Sequence, residues 1–348
     1  MISKRNKRIL LFFFRDKNKK KWLQIIKEFA ILFISHKKLP VDYITHLLYR
    51  KNVYNYKDYL SINEDKKLLS WSESFAKNQV ELAENKLLFE ELLFKNNIST
   101  PRIFFHNLKN IFFYNENVIT LNSEQDFISF LDSFFNEVNI DRIICKPIDG
   151  IKGKNIFIID IKTFQKIDYD LINLVLSKSF IFQELIIQHE SLSKINNSSI
   201  NTLRIATYKN EKNEVEILAG FLRIGKMGAI LDNAHAGGIV VPFNKETGKM
   251  LSEGLQLLDK GGGVYYKHPD SGVIFDDFQI PFYIQVKEIV IKACSLFNLP
   301  LLGWDVAITP DGPVIVEVNH NFHLKLSDRM EKGLKNNPSF KKLLDEIQ

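Results

Sequence analysis

Glycine is distributed very unevenly along this chain, and its distribution limits the folds that the two halves can adopt. All 16 glycines of the 348 residues lie between Gly150 and Gly333, and the first 149 residues contain none. Nucleotide sites of the Rossmann and P-loop kinds need glycines in the turn that joins the first strand to a helix, where the backbone approaches phosphate. The N-terminal part therefore has no such site, and glycine-dependent chemistry is expected only after residue 149.

The glycine-free part shows helical periodicity. Large apolar side chains recur at helical spacing through a lysine-rich segment, at Trp22, Ile25, Ile26, Phe29, Leu32 and Phe33. Residues 72–94 have a similar pattern, and the run ends before Pro101 because a residue that precedes proline resists the helical conformation. We predict a mainly helical region over residues 1–85 and a charged closing helix over 332–348.

Positive charge is concentrated near the N-terminus. Residues 1–60 contain 15 Lys and Arg against 4 Asp and Glu, whereas the remainder contains 32 against 37. Such a surface often meets membrane headgroups, a polyanionic polymer or nucleic acid, although a lysine-rich composition alone would also produce it. No nucleic-acid motif accompanies the charge, so we expect no nucleic-acid partner and keep an anionic membrane surface as a partner of residues 1–60. The apolar stripe at 22–33 lies on that membrane or, in our first interpretation, packs on the protein itself.

Composition and the length of apolar runs exclude several classes of protein. The longest uninterrupted apolar runs, 9–14 and 29–34, have six residues, whereas a membrane span needs about twenty. The basic start has too short an apolar stretch, and no small-residue cleavage site, for a secretory signal. Cys145 and Cys294 are too few for a disulfide framework or a cysteine-rich zinc site. We therefore expect a cytoplasmic protein, with a peripheral position at the inner face of the membrane as the alternative.

Residues 142–160 predict two strands joined by a glycine-containing loop. β-Branched runs at 143–146 and 156–159 flank Gly150 and Gly153. Glycines let backbone N–H groups come close to phosphate oxygens, and Lys146 would supply a positive charge from the end of the strand. A plain β-hairpin explains the same pattern.

The next apolar strand begins at Phe180 and ends at Gln183 and Glu184. Adenine sites typically offer a backbone carbonyl, a backbone N–H and one carboxylate or amide side chain. Residues 183–190 contain all of these groups, but the pattern alone does not define a nucleotide site.

The most specific pattern is a hairpin over residues 303–319. Pro310-Asp311-Gly312 is a favourable turn between two apolar strands. A hairpin centred near Asp311 places Asp305 opposite Glu317 and puts Asn319 on the same face. Facing carboxylates repel each other unless a cation lies with them, and hard oxygen ligands suit Mg²⁺ bound to substrate phosphates. The residues expected on the other, apolar face are Val306, Ile308, Val316 and Val318. Two solvated carboxylates on an exposed sheet face are the alternative.

Taken in order, these segments resemble the ATP-grasp superfamily and, more narrowly, its sugar-transfer-associated family. The shared features are a lysine-proline that ends a strand before a glycine loop, an adenine segment, and an Asp…Glu-x-Asn hairpin. The narrower likeness covers roughly residues 86–325 and rests on these motifs: Gln188-His189, Asn201-Thr202-Leu203-Arg204, Phe221-Leu222-Arg223-Ile224-Gly225, Asp232-Asn233, Gly237-Gly238, His268-Pro269 and Gly303-Trp304-Asp305.

The resemblance implies an α+β ATP-grasp fold, in which two α+β subdomains grip ATP, preceded here by the mainly helical N-terminal region. The implied segments are a basic helical region at 1–85, a lid subdomain at 86–182 and a core subdomain with the metal site at 183–348. The residues implied for ATP are Lys86, Lys146, Gly150, Gly153, Lys154, Gln183, Glu184, Leu185, Ile186 and Glu190. Those implied for one or two Mg²⁺ are Asp305, Glu317 and Asn319, and those for the acceptor substrate are Asp232, Asn233, Gly237 and Gly238.

Three departures from the family pattern concern the substrate side. Glycine-free helical sequence replaces the usual glycine-bearing domain ahead of the grasp, and the segment after Asn319 lacks the proline-glycine commonly found there. Gly303 also occupies a position where an arginine is often found. Arg204 or Arg223 would then neutralise the transferring phosphate as catalytic residues, although each could equally form a structural ion pair. The histidines expected to be structural, with no catalytic role assigned, are His189, His235, His320 and His323.

The mechanism that the resemblance implies is carboxylate–amine ligation. ATP phosphorylates a carboxylate to an acyl phosphate, and an amine then attacks it and releases phosphate. The protein positions the reactants and neutralises charge, so no nucleophilic side chain is required. The family's description points to surface-polysaccharide or glycoconjugate synthesis, for example an amino acid joined to a free or lipid-linked sugar acid or amino sugar. The alternatives are an ATP-dependent phosphotransferase acting on a sugar hydroxyl and a non-catalytic, membrane-associated scaffold.

Overall fold

The computed structural model describes residues 3–149, 154–226, 228, 234, 237–322 and 324–347. The chain forms two compact units. The first unit comprises Met1–Val80 and Gln188–Gln348, and the second comprises Glu81–Ile187. Each unit contains one antiparallel sheet with helices, so the fold class is α+β, as the family resemblance implied.

The second unit is built on a six-stranded sheet. Its strands are β1 (Ile103–Leu108), β2 (Ile111–Tyr114), β3 (Asn117–Thr120), β4 (Arg142–Pro147), β5 (Phe157–Asp160) and β6 (Phe180–Glu184), and its helices are α6 (Lys86–Lys95), α7 (Glu124–Val138) and α8 (Tyr169–Ser177). The strand order is β3-β2-β1-β6-β4-β5. One sheet face carries aromatic residues such as Phe105 and Phe182, whose ring centroids are 4.3 Å apart, and it packs against α7 and α8. The predicted strand–loop–strand is confirmed, because β4 pairs with β5.

The first unit is built on a seven-stranded sheet. Its strands are β7 (Leu203–Lys209), β8 (Val215–Ile224), β9 (Ile239–Pro242), β10 (Gly254–Gln256), β11 (Val264–Tyr265), β12 (Leu301–Thr309) and β13 (Gly312–Asn319). The strand order is β11-β10-β9-β8-β7-β12-β13. The central strands β7 and β12 are buried on both faces, so a charged residue on either strand needs a partner inside the protein.

Helices surround this sheet at both ends of the chain. The N-terminal helices are α1 (Lys4–Arg15), α2 (Trp22–His36), α3 (Val41–Thr45), α4 (Ile62–Phe75) and α5 (Lys77–Glu84), and the later ones are α9 (Glu190–Ile195), α10 (Tyr283–Ser295), α11 (Lys325–Met330) and α12 (Pro338–Ile347). The predicted helical N-terminal region is therefore confirmed, and the closing helix is present but begins at Pro338 and not at residue 332. The helical pattern at 72–94 is divided among α4, α5 and α6, because Asn85 Oδ1 accepts the Leu88 N–H at 3.2 Å and starts a new helix.

The N-terminal helices belong to the same unit as residues 188–348. Leu60 and Leu68 share a buried cluster with Tyr208 of β7 and with other residues of the later chain. The buried Asp328 carboxylate accepts the backbone N–H of Leu60 at 2.9 Å. These contacts explain why the helical region, treated above as a separate segment, does not form a unit of its own.

The apolar stripe at 22–33 packs on the protein only in part. Ile25 and Leu32 of α2 are buried, whereas Trp22, Ile26 and Phe33 are exposed. Our first interpretation, packing of the whole stripe, is therefore wrong for half of its side chains. The part of the chain that the structure describes contains no helix both long enough and apolar enough to cross a bilayer.

Candidate functional site

The hairpin of β12 and β13 has the predicted pairing. Asp305 lies opposite Glu317, and Asn319 lies opposite Gly303. Thr309 pairs with Gly312 at the turn, so the hairpin is centred half a residue before the predicted centre at Asp311. A β-bulge further along then brings Asp305 opposite Glu317, as predicted. The bulged residue is Val316, which is only half-buried, and Ile315 takes its expected place opposite Val306.

Asp305 is the centre of a buried charge cluster. Arg204 lies directly opposite it on β7 and donates from Nε to Oδ1 at 2.5 Å and from Nη2 to Oδ2 at 3.0 Å. Arg223, near the end of β8, approaches Oδ2 with Nη2 at 2.8 Å. Burial alone would raise the pKa of Asp305, but the two guanidinium groups outweigh burial and hold that pKa below its usual range. Asp305 is therefore ionised and fixes both arginines.

Two guanidinium groups share the Asp305 carboxylate, and the half-buried Glu317 lies opposite Asp305. Arg223 is further fixed by Thr202, whose Oγ1 accepts from its Nε at 2.9 Å. Each guanidinium has five N–H donors, so the bonds to Asp305 leave donors on Arg204 for an anion. Such an arrangement can stabilise charge that develops on a transferring phosphate.

The structure leaves no room for a side chain at residue 303 beside Phe322. A Cβ atom at residue 303 would lie 2.6 Å from Cγ of Phe322, which no real side chain allows. The Phe322 ring thus occupies the space above Gly303, and Arg204 and Arg223 supply the positive charge from neighbouring strands.

The fit of the predicted metal ligands to Mg²⁺ depends on Glu317 and Asn319. Three hydrogen bonds from arginines use most of the roughly four acceptor positions of the Asp305 carboxylate. Asn319 Nδ2 is buried without a hydrogen-bond partner, and rotating this amide by 180° would bring an oxygen to that position. Among the described residues no three His, Cys, Asp or Glu side chains cluster as a metal cage. The Glu317 carboxylate and the Asn319 amide therefore fit a Mg²⁺ ion whose other ligands are oxygens of the substrate phosphates.

The second unit brings the two predicted phosphate lysines close to one buried acid. Lys86 begins α6, Lys146 is a buried residue of β4, and both act electrostatically on Glu90 of α6. Burial raises the pKa of Glu90 to about 8, and the two lysines oppose that rise. Glu90 was not among the residues predicted from the sequence, although its position four residues after Lys86 puts both on one helix face.

The residues of the predicted adenine segment differ in burial and in hydrogen-bond partners. The Gln183 amide is fully buried and donates to Glu90 and, at 3.3 Å, to the Pro101 carbonyl. Its hydrogen bonds are therefore made inside the second unit. Glu184 is exposed, with its carboxylate accepting the Arg102 N–H at 2.8 Å. Leu185 and Ile186 lie half-buried in the chain that leaves β6. Residue Glu190 begins α9 and forms an exposed ion pair with Lys194 at 2.8 Å.

Several predicted residues lie outside the described part of the chain. They are Gly150, Gly153, Asp232, Asn233, His235 and His323. Lys154 is described and exposed. Two of the remaining histidines have structural contacts, since His189 caps α9 by accepting the Ser191 N–H at 3.2 Å and His320 Nδ1 lies 3.0 Å from a Glu73 carboxylate oxygen.

The first unit contains a basic cavity of about 790 Å³. Its lining includes the predicted residue Gly237, the arginines Arg8 and Arg15 of α1, and Lys226 and Lys260. The acids in the lining are Asp259, which Arg5 pairs at 3.5 Å, and Asp270. Lys226 lies just after β8, three residues along the chain from Arg223.

The cavity wall also contains the motif His268-Pro269. His268 is buried, and its Nδ1 accepts the Ser271 N–H at 3.3 Å. Burial lowers the pKa of His268, so the ring is neutral near pH 7. This histidine shapes the wall and does not add to its positive charge.

Two α+β units, Lys146 on a strand of one of them and the Asp305–Glu317 hairpin in the other are the features expected of an ATP-grasp protein. Residues 71–342 match the family described as sugar-transfer associated ATP-grasp, and the chain belongs to that family. A comparison with the sequences of characterised proteins found no match.

Similar solved structures are distant. The ATP-grasp ligase PsnB, complexed with precursor peptide PsnA2 and AMPPNP, is 14% identical with a TM-score of 0.43, and the match covers 80% of this chain and 66% of that one. N5-carboxyaminoimidazole ribonucleotide synthetase from Thermotoga maritima is 12% identical with a TM-score of 0.39, covering 79% and 56%. D-alanyl-alanine synthetase A from Vibrio cholerae is 11% identical with a TM-score of 0.42, covering 76% and 64%. This chain thus spans less than two thirds of each of these proteins, and likeness this remote says nothing about its substrates.

Proposed function

We propose that the protein is an ATP-dependent ligase that joins a carboxylate to an amine through an acyl phosphate. Membership of an ATP-grasp family supports the use of ATP. The observation that carries the proposal is the buried cluster in which Asp305 fixes Arg204 and Arg223, because Arg204 keeps N–H donors that can bind a transferring phosphate. Surface-polysaccharide or glycoconjugate synthesis is the proposed setting, since the family is associated with sugar transfer.

The proposed reaction has two steps. A carboxylate oxygen of the substrate attacks the γ-phosphorus of ATP, and the bond to ADP breaks. The amine then attacks the acyl carbon, and phosphate leaves with the former carboxylate oxygen while the amine loses a proton to solvent. Lys86 and Lys146 bind nucleotide phosphates, and the two arginines neutralise the moving phosphate. Mg²⁺, held by Glu317 and Asn319, would supply further charge neutralisation.

The basic cavity is the proposed site of the carboxylate substrate. Its four cations outnumber its two acids, and its volume is large enough for a sugar acid. We expect Arg15→Gln to raise KM for the carboxylate roughly tenfold, because one charge-assisted contact is lost, and to leave KM for ATP unchanged. Lys7→Gln is the matched control, since Lys7 lies on the same helix and does not line the cavity. Equal effects of the two changes would contradict this placement.

An ADP-release screen tests the proposed reaction. Amino acids, sugar acids and amino sugars are offered in pairs with ATP and Mg²⁺, and hydroxylamine is added to convert any acyl phosphate into a hydroxamate. The proposal requires hydroxamate that depends on both ATP and the carboxylate. Covalent phosphate on a sugar hydroxyl would instead identify a phosphotransferase, and failure to bind ATP would identify a scaffold.

A further inference from the structure

Helix α2 has one broad apolar surface, of which one side is packed on the protein and the other is exposed. One face carries Ile25 and Leu32, which are buried in a cluster with Ile9 and Phe13 of α1. Glu28 on this side is also buried, with its carboxylate accepting from Lys20 Nζ at 2.6 Å. The helix is therefore fixed on the protein by one side only.

The other face of α2 is apolar and exposed. Trp22 is 52% exposed, Leu23 84%, Ile26 61%, Phe33 47% and Ile34 73%. At 100° per residue these five positions cover an arc of roughly 120°, with Ala30 among them. The arc is continuous and holds no charged residue, and Lys27 stands at its edge.

Helix α1 extends this exposed surface. Phe14 is exposed, and its ring centroid lies 6.3 Å from that of Trp22. Leu10 and Leu11 of α1 are exposed beside Phe14. The residues of this surface, called the apolar face below, are Leu10, Leu11, Phe14, Trp22, Leu23, Ile26, Phe33 and Ile34.

The apolar face lies among positive charges. The exposed cations of residues 3–38 are Lys4, Arg5, Lys7, Arg8, Arg15, Lys17, Lys21, Lys27, Lys37 and Lys38. Within the described chain only Arg5 of this set pairs with a carboxylate, that of Asp259. The two acids of the segment are already engaged, because Asp16 pairs with Arg50 at 2.8 Å and Glu28 with Lys20.

We infer that α1 and α2 form a membrane-binding surface for an anionic lipid bilayer. Large apolar and aromatic side chains on one face, bordered by lysines and arginines, are the features of helices that lie in the headgroup region. The adjoining side of α2 packs on the protein, so the helix presents its apolar face outward in a fixed orientation. A second copy of the chain is a poorer occupant, because its apolar face would bring the same positive charges opposite one another.

The basic cavity lies beside this surface. Leu11 belongs to the apolar face and also lines the cavity, and Arg8 and Arg15 line it from the same helix. A cavity in this position would receive the anionic head of a lipid-linked molecule held in the bilayer. The membrane surface itself is independent of the proposed ligase reaction and can be tested without a substrate.

Vesicle binding tests the inference. The full-length chain is sedimented with vesicles of phosphatidylglycerol and phosphatidylcholine, and with vesicles of phosphatidylcholine alone. We expect binding to the anionic vesicles and a shift of Trp22 fluorescence to shorter wavelength, with a Trp22→Phe variant supplying the background from the other two tryptophans. Ile26→Asn combined with Phe33→Ser should lower binding roughly tenfold or more, since both side chains enter the bilayer. Ile284→Asn, at an exposed isoleucine of α10, is the matched control.

The charges are tested separately. Lys21→Glu combined with Lys27→Glu should weaken binding to anionic vesicles. The effect is measured at low salt, where exposed charges are screened least. Lys341→Glu on α12 is the control and should not weaken binding. The inference is overturned if anionic vesicles do not bind at low salt, if the control variants lose as much binding, or if Trp22 emission is unchanged on bound vesicles. Concentration-dependent dimers that Ile26→Asn abolishes would also overturn it.

Discussion

At the scale of single residues, Asp305 and Glu317 face each other but have different surroundings. Asp305 is buried and balances two arginines, so Asp305→Asn should lower the free energy of unfolding by about 3 kcal/mol or more, in addition to its effect on turnover. Glu317 is half-buried, and Glu317→Gln should change stability by less than about 1 kcal/mol while reducing turnover roughly a hundredfold. Urea unfolding and ADP release measured on both variants separate these effects. Wild-type turnover in Glu317→Gln would remove its role in the reaction.

Glu90 makes stability depend on pH. Its folded pKa of about 8 lies above the value of about 4.3 expected in the unfolded chain. The folded state therefore holds this proton more tightly, and the resulting stability is complete below the unfolded pKa and is lost as pH rises through about 8.

Glu90→Gln should remove this dependence and raise the melting temperature at pH 8 to 9 relative to the wild type. Thermal melts between about pH 5 and 9 measure the difference. Glu91→Gln, at the exposed neighbouring residue, should leave the wild-type profile unchanged. Parallel profiles for the wild type and Glu90→Gln would show that the buried carboxyl does not titrate in this range.

The pairing of Asp305 with Glu317 could be predicted from sequence, because both residues belong to one hairpin with a readable turn. The bulge at Val316 could not, since this valine is as suited to a strand as its neighbours. The bond between Arg204 and Asp305 joins residues 101 positions apart. It depends on β7 pairing with β12, which hydrophobic patterns alone do not specify.

At the scale of elements, the attachment of α1 depends on a close approach by glycine. Gly262 has φ +65°, and a Cβ atom there would lie 2.5 Å from the Phe12 ring. Gly262→Ala should therefore destabilise the protein through both backbone strain and the clash, whereas Gly272→Ala, with φ +73° and open space around it, should show strain only.

We expect the loss in Gly262→Ala to exceed that in Gly272→Ala by about 1–3 kcal/mol, because a packed ring must move. Urea unfolding gives the free energies, and hydrogen exchange of the α1 amides shows whether that helix detaches. If the two variants lose equal stability, α1 does not depend on the contact between Phe12 and Gly262.

The helical periodicity of α2 was visible in the sequence, but its division into a packed and an exposed face was not. The helical periodicity of a sequence shows how much of a helix surface is apolar. It does not show which parts of that surface another element covers. Only the position of α1, which packs against Ile25 and Leu32, separates the two faces.

At the scale of the whole molecule, the family match begins at residue 71, whereas the basic helices before it join the same compact unit as residues 188–348. Fold class and family followed from ordered motifs in the glycine-bearing part. The contribution of α1 to the cavity could not be predicted, because its lining residues, from Arg8 to Arg15, are more than 200 residues from those of the later chain.

The central claim is that ATP activates a carboxylate, and transfer of oxygen tests it most directly. The carboxylate substrate found in the ADP-release screen is labelled with ¹⁸O in its carboxyl group, and the phosphate released after ligation is examined by mass spectrometry. An acyl phosphate requires one labelled oxygen to pass from each carboxylate to the released phosphate. Phosphate without the label, or phosphate that stays on the product, would contradict the account.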